Sequence, residues 1–179
     1  NEYCTTWGCP SHENICGILD AVRGKGFEYF VIDCGWYKKE GVPWHIMMGD
    51  YDISKELFPQ GLDQTVAAIR EAGMKPGIWF EIENVGEAAS QYQNEEHLLK
   101  RDGVTLSTTS RRFFDMRDEW VEDHLPQKVI GTLKEYGLEY MKIDYNDTIG
   151  LGCDGAESLG EGLRQNMAAS LAFLEKVKR

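Results

Sequence analysis

Several features are scarce in this sequence, and each scarcity closes off a class of function. No apolar run approaches the roughly 20 residues that a membrane-spanning helix requires. Basic residues are outnumbered, 19 Lys and Arg against 30 Asp and Glu, so the formal charge is -11. Such a surface repels nucleic acid and anionic membranes alike, and a neutral or cationic small molecule is easier to accommodate. The five cysteines (Cys4, Cys9, Cys16, Cys34 and Cys153) are odd in number and lack the paired spacing of a zinc site. His12, His45, His97 and His124 share no ligand spacing either, and no metal is expected. The loop Gly150-Leu151-Gly152-Cys153-Asp154-Gly155 lacks the Lys-Ser/Thr ending of a phosphate cradle. No signal-like segment opens the sequence. A reducing, cytoplasmic setting is therefore expected, with secretion left open because the chain starts inside apparent structure.

What is present describes a globular α/β chain. At 179 residues, 42% hydrophobic and 27% charged, it suits a single domain with a proper core. Tyr3 to Trp7 reads as a short strand, and Ser11 as the N-cap of a helix carrying Ile15, Ile18, Leu19 and Val22. Phe27 to Asp33 is a second strand. A helix after Gly61 presents Leu62, Val66 and Ile69, and Met74 to Glu81 forms a third strand. An insertion over about 84–118 holds an extended piece around Arg112 to Met116. A helix from Glu119 to Tyr136 follows, with a break or restart expected at Pro126. Leu138 to Asn146 is the fourth strand. The last helix, about Glu157 to Lys178, carries an apolar stripe of Leu163, Met167, Leu171 and Leu174.

The chemistry concentrates in Lys142-Ile143-Asp144-Tyr145-Asn146. Alternation along a strand puts Lys142, Asp144 and Asn146 on one face. A cation, a carboxylate and an amide in one row are expensive to bury unless they serve one another or a polar ligand. An ammonium beside a carboxylate favours the charged form that a nucleophile needs. A structural Lys–Asp pair is the plain alternative. Asp33, Glu81, Glu83 and Asp115 also fall near the C-terminal ends of extended segments. That is where a (β/α)8 barrel keeps its reactive groups. Four strand–helix units in succession imply a parallel sheet with right-handed crossovers. An open doubly wound sheet would carry a glycine-rich turn after the first strand, and Cys9-Pro10-Ser11-His12 is not one. The expected fold is thus the first half, about four βα units, of a (β/α)8 TIM barrel, with residues 1–179 forming part of one catalytic domain.

Several segments resemble the catalytic barrel of glycoside hydrolase family 36 (clan D) α-galactosidases. They are Phe30-Val31-Ile32-Asp33-Cys34-Gly35-Trp36, Gly49-Asp50-Tyr51, Phe58-Pro59-Gln60-Gly61-Leu62, Gly73 through Glu83, and Lys142 through Asn146. They occur in the family's order and span nearly the whole chain. The resemblance implies a retaining α-glycosidase, with no cofactor, acting on an α-linked oligosaccharide or glycoside. Asp144 matches the nucleophile. Lys142 would hold Asp144 charged, Asn146 would orient a sugar hydroxyl, and Asp33 would accept hydrogen bonds from hydroxyls. Trp7, Trp36 and Trp79 could offer flat faces to a pyranose, with Trp36 favoured. Arg111 and Arg112 both lie near the position of the family's sugar-binding arginine, and spacing does not choose between them.

Two departures shape the expectation. Where the family has a second aspartate that selects galactose hydroxyls, this chain has Cys34, a weak donor without charge. Strict galactose specificity is therefore not expected, and another α-linked or N-acetylated sugar is open. The family's acid/base aspartate comes from a later strand, beyond Arg179. The isolated chain is accordingly expected to be inactive or nearly so, and to self-associate through exposed strand edges. Two other readings stand beside this one. One is a non-catalytic carbohydrate-binding remnant. The other is a divalent-metal-dependent barrel enzyme with Lys142 as base, which the ammonium beside Asp144 opposes.

Overall fold

The computed structural model describes residues 1–145, 147 and 150–179. In chain order the helices and strands are α1 (Tyr3–Thr6), α2 (His12–Val22), β1 (Tyr29–Ile32), α3 (Leu62–Glu71), β2 (Lys75–Phe80), β3 (Asn84–Gly86), β4 (Lys100–Arg101), β5 (Val104–Thr105), β6 (Arg111–Phe113), α4 (Glu119–Tyr136), β7 (Tyr140–Ile143) and α5 (Leu159–Val177). Strands β1, β2 and β7 form a parallel sheet in that order, with α3 and α4 lying in the two crossovers. The insertion supplies two antiparallel pairs, β3 with β6 and β4 with β5. The architecture is α/β. Among the described residues, no helix is long and apolar enough to cross a membrane.

Local chemistry sets the element ends. The Ser11 hydroxyl accepts the Asn14 N–H and starts α2, and the Asp118 carboxylate accepts from Trp120 and Val121 to start α4. Gly137, at φ 60°, closes α4 in the left-handed conformation that glycine tolerates. In the sheet, Gly77 sits where Val31 and Tyr140 converge from the flanking strands. A Cβ there would lie 2.9 Å from the Tyr140 carbonyl oxygen and 3.2 Å from Val31 Cγ2. Only glycine lets the three strands close at that point. The core beneath is aromatic, with Trp36, Trp79 and Phe80 fully buried.

The structure corrects three expectations. Tyr3 to Trp7 is not a strand: Tyr3–Thr6 is one helical turn, ended by Trp7 at φ 50°. The β-forming composition of this segment is overridden by the turn at Trp7 and Gly8, whose carbonyl occupies the space a Gly35 Cβ would fill. The parallel sheet accordingly has three strands among the described residues, not four. Pro126 does not break α4, which runs through it from Glu119 to Tyr136. A mid-helix proline costs about 3 kcal/mol. Burying Val121, Leu125 and Val129, each 0% exposed, outweighs that at roughly 1.5–3 kcal/mol apiece.

The third correction concerns α5, which buries Gly162, Asn166, Ser170 and Phe173 most fully, with Leu174 of the apolar stripe only partly buried against the core. Met167 and Leu171 are left 47% and 64% exposed. The small face wins because the helix lies so close to the preceding loop that a Cβ on Gly162 would sit 2.1 Å from the Cys153 carbonyl oxygen. Asn166 also satisfies a buried donor, its Oδ1 accepting the Met116 N–H at 2.8 Å.

Candidate active site

Parallel pairing brings the C-terminal ends of β1, β2 and β7 side by side, so Asp33, Glu81 and Asp144 emerge at one end of the sheet. The register sets Lys142 opposite Trp79. The ladder continues one residue further, where the Asp144 N–H donates to the Phe80 carbonyl at 2.9 Å. Asp144 is therefore fixed by backbone pairing before its side chain makes any contact.

Its carboxylate is then held at both oxygens. Oδ2 accepts the Trp79 indole N–H at 3.0 Å and lies 3.7 Å from the Lys142 ammonium. Oδ1 accepts the backbone N–H of Tyr145 at 2.9 Å. Lys142 leans the other way, donating to Asp33 Oδ2 at 2.9 Å, so one cation serves two carboxylates. Burial by itself would lower the Lys142 pKa, but the Asp33 hydrogen bond and the charges on Asp33 and Asp144 outweigh it, and the net direction is up. The ammonium stays charged.

Tyr3, Asp33, Cys34, Trp44, Lys142 and Asp144 line a cavity of about 90 Å³ at this point. Cys34 donates its N–H to Asp33 Oδ1 at 2.9 Å. Burial, then the Asp33 charge, push the Cys34 thiol well above its ordinary pKa. It presents a neutral S–H, not a thiolate. Behind the Trp44 wall lies Arg111, its guanidinium 5.6 Å from the Trp44 ring centre. Arg111 pairs with Glu81 at 3.1 Å, and Asn84 donates to the same oxygen at 2.8 Å.

The structure separates residues that spacing could not. Arg111 joins the group around the cavity, whereas Arg112 lies over the Tyr92 ring and pairs with Glu95 at 3.0 Å. Trp36 does not line the cavity. It is fully buried, and its indole N–H donates to the Trp79 carbonyl at 2.8 Å, so it packs as core and supports the strand that carries Trp79. Trp7 is 72% exposed and meets Tyr3 edge-on. Glu83 is buried, and its pKa is raised by that burial. Asn146 lies outside the described residues. Among the described residues, no three His, Cys, Asp or Glu side chains converge to hold a metal ion.

Sequence reasoning missed Tyr3 and Trp44 as cavity walls, and missed the Trp79–Asp144 bond. The last was available in principle. Pairing β2 and β7 in register places Trp79 beside Lys142, two residues before Asp144 on the same strand face.

Comparison with known proteins gives consistent results. The family model for melibiase matches residues 3–174. Alpha-galactosidase 1 of Pediococcus pentosaceus is 29% identical over 131 residues, covering 72% of this chain and 18% of that protein. Alpha-galactosidase Mel36A of Lactobacillus acidophilus is 24% identical over 151 residues, covering 83% and 20%. The crystal structure of the GH36 α-galactosidase AgaA from Geobacillus stearothermophilus superposes with a TM-score of 0.83 at 20% identity, covering 98% of this chain and 25% of that one. A variant of AgaA in complex with stachyose superposes with a TM-score of 0.82, at 20% identity and the same coverage. The chain thus spans about a fifth of the length of the curated relatives it matches.

Proposed function

The chain belongs to the melibiase family, and from that premise we propose that it carries the nucleophile-bearing half of a retaining α-glycosidase barrel, with Asp144 as nucleophile. One observation carries the reading: a carboxylate at the end of β7, fixed by Trp79 and beside the Lys142 ammonium, opens onto a cavity lined by Asp33 and two aromatic rings. Asp144 Oδ2 forms a bond to the anomeric carbon as the glycosidic bond breaks, giving a covalent glycosyl ester. The leaving oxygen takes a proton from an acid, which then deprotonates the water that cleaves the ester.

The family resemblance would place that acid on a later strand of the barrel. Asp33 is bound to Lys142 and Cys34, and Glu81 to Arg111 and Asn84, so both are committed as acceptors. Asp33 and Lys142 would bind sugar hydroxyls. Trp44 would pack a ring face, with Arg111, not Arg112, holding it in place. The relatives are α-galactosidases by name, and a variant of AgaA is in complex with stachyose, so an α-galactoside is the first substrate to try. Cys34 contributes a neutral thiol at the wall, and this relaxes the preference among α-linked sugars. The divalent-metal reading fits poorly because an ammonium sits 2.9 Å from Asp33 and 3.7 Å from Asp144. The 179-residue chain alone would bind without turnover, and would self-associate through the open edges of β1 and β7 and the exposed Met167 and Leu171.

The test uses the full-length protein that contains this chain and an aryl α-galactoside, with the product followed by proton NMR. The α-anomer is expected as the first-formed sugar, with no turnover from residues 1–179 alone. A β-anomer product, or ordinary enzymatic rates from the isolated chain, contradicts the reading.

A further inference from the structure

Glu2 is ionisable yet only 2% exposed, and it stands just outside the lining of the cavity. Its Oε1 accepts the backbone N–H of Asp33 at 2.8 Å. Its Oε2 is buried with no hydrogen-bond partner among the described residues. Its own carbonyl accepts the N–H groups of Thr5 and Thr6, which starts the helical turn that carries Tyr3 into the cavity wall. One residue thus ties the first turn of the chain to the end of β1. No lysine or arginine pairs with it among the described residues, so a buried anion there would be poorly compensated.

We propose that Glu2 is a positioning residue for the site: its side-chain Oε1 locks the Asp33 backbone to the turn that bears Tyr3. The inference rests on the glycosidase reading for its purpose, though not for its test. Burial pushes the Glu2 carboxyl up to about 7, and the Asp33 charge adds to the rise. The hydrogen bond from the Asp33 N–H opposes it without cancelling it. The charged group facing Glu2 is therefore Asp33, with the Cys34 thiol also within its field. Lys142 pairs with Asp33 at 2.9 Å, so an ionised Glu2 would set a second carboxylate behind one that already has its partner. A carboxyl raised in the folded state favours folding at low pH, and that contribution is lost as pH climbs through about 7.

The test is an amide NMR titration of the full-length protein that contains this chain, selectively labelled at aspartate, which needs no turnover and so separates this inference from the glycosidase reading. The Asp33 N–H resonance is expected to shift with a midpoint near 7, the value for Glu2. In Glu2→Gln the same amide should stay protected from exchange, because the glutamine oxygen still accepts, and its shift should be flat over that range. In Glu2→Ala protection should fall roughly tenfold or more. A midpoint near 4.5, the ordinary value, or a Glu2→Gln profile that follows the wild type, overturns the proposal.

Discussion

Asp144→Asn in the full-length protein is expected to lower kcat on the order of 10⁴-fold or more, with KM little changed. At about 1.4 kcal/mol per decade, that corresponds to more than 5 kcal/mol of lost transition-state stabilisation. The substitution is diagnostic because it disturbs so little else. The asparagine oxygen can still accept from Trp79 or from the Tyr145 N–H, and the backbone bond to Phe80 is untouched. What disappears is the anionic oxygen able to form an ester with the sugar, together with the second partner of Lys142. Steady-state kinetics on an aryl α-galactoside, with a fold check by circular dichroism, measures the effect. A loss of less than tenfold would mean that another group attacks the sugar.

The second large effect concerns stability. Arg111→Leu removes the guanidinium from Glu81, a carboxylate with a fully buried side chain. Breaking a buried pair on one side typically costs about 3–5 kcal/mol. In a chain of this size that lowers Tm by on the order of 10 °C. Arg112→Leu breaks a pair whose acidic partner, Glu95, is 52% exposed. Such pairs are worth about 1 kcal/mol or less. Replacing Glu81 and Arg111 together with apolar residues should recover much of the single-mutant loss, since neither charge then remains in the core. Chemical denaturation of the three variants measures all of this. If Arg112→Leu is the more destabilising, Arg111 is not the arginine built into the site.

Much of this layout was legible in the sequence, and the misses share a physical cause. Ser11, Gly61, Gly73 and Gly137 mark helix ends because capping and left-handed backbone are local chemistry, readable from a few residues. Alternation along the last strand put Lys142 and Asp144 on one face, and the structure places them 3.7 Å apart. The family pattern supplied the order of the strand ends. What failed depended on distant atoms. The first segment looks extended by composition, yet its shape is set by how Gly8 packs on Gly35. The orientation of α5 follows from the closeness of Gly162 to Cys153, which no periodicity encodes. Pro126 stays inside α4 because its neighbours bury against the core, a tertiary effect stronger than the local penalty. Arg111 and Arg112 are adjacent in sequence, and only the β3–β6 pairing turns them to different partners. Glu2 carried no motif at all. Its importance lies in being buried behind Asp33, and burial of a single ionisable residue is not something a sequence announces.

The shortest route to the central claim is to trap the glycosyl intermediate. A mechanism-based fluoro-glycosyl or cyclitol inactivator of α-galactoside configuration, incubated with the full-length protein and followed by peptide mapping, should place one ester on Asp144. Inactivation with the label on a different carboxylate, and none on Asp144, would contradict it.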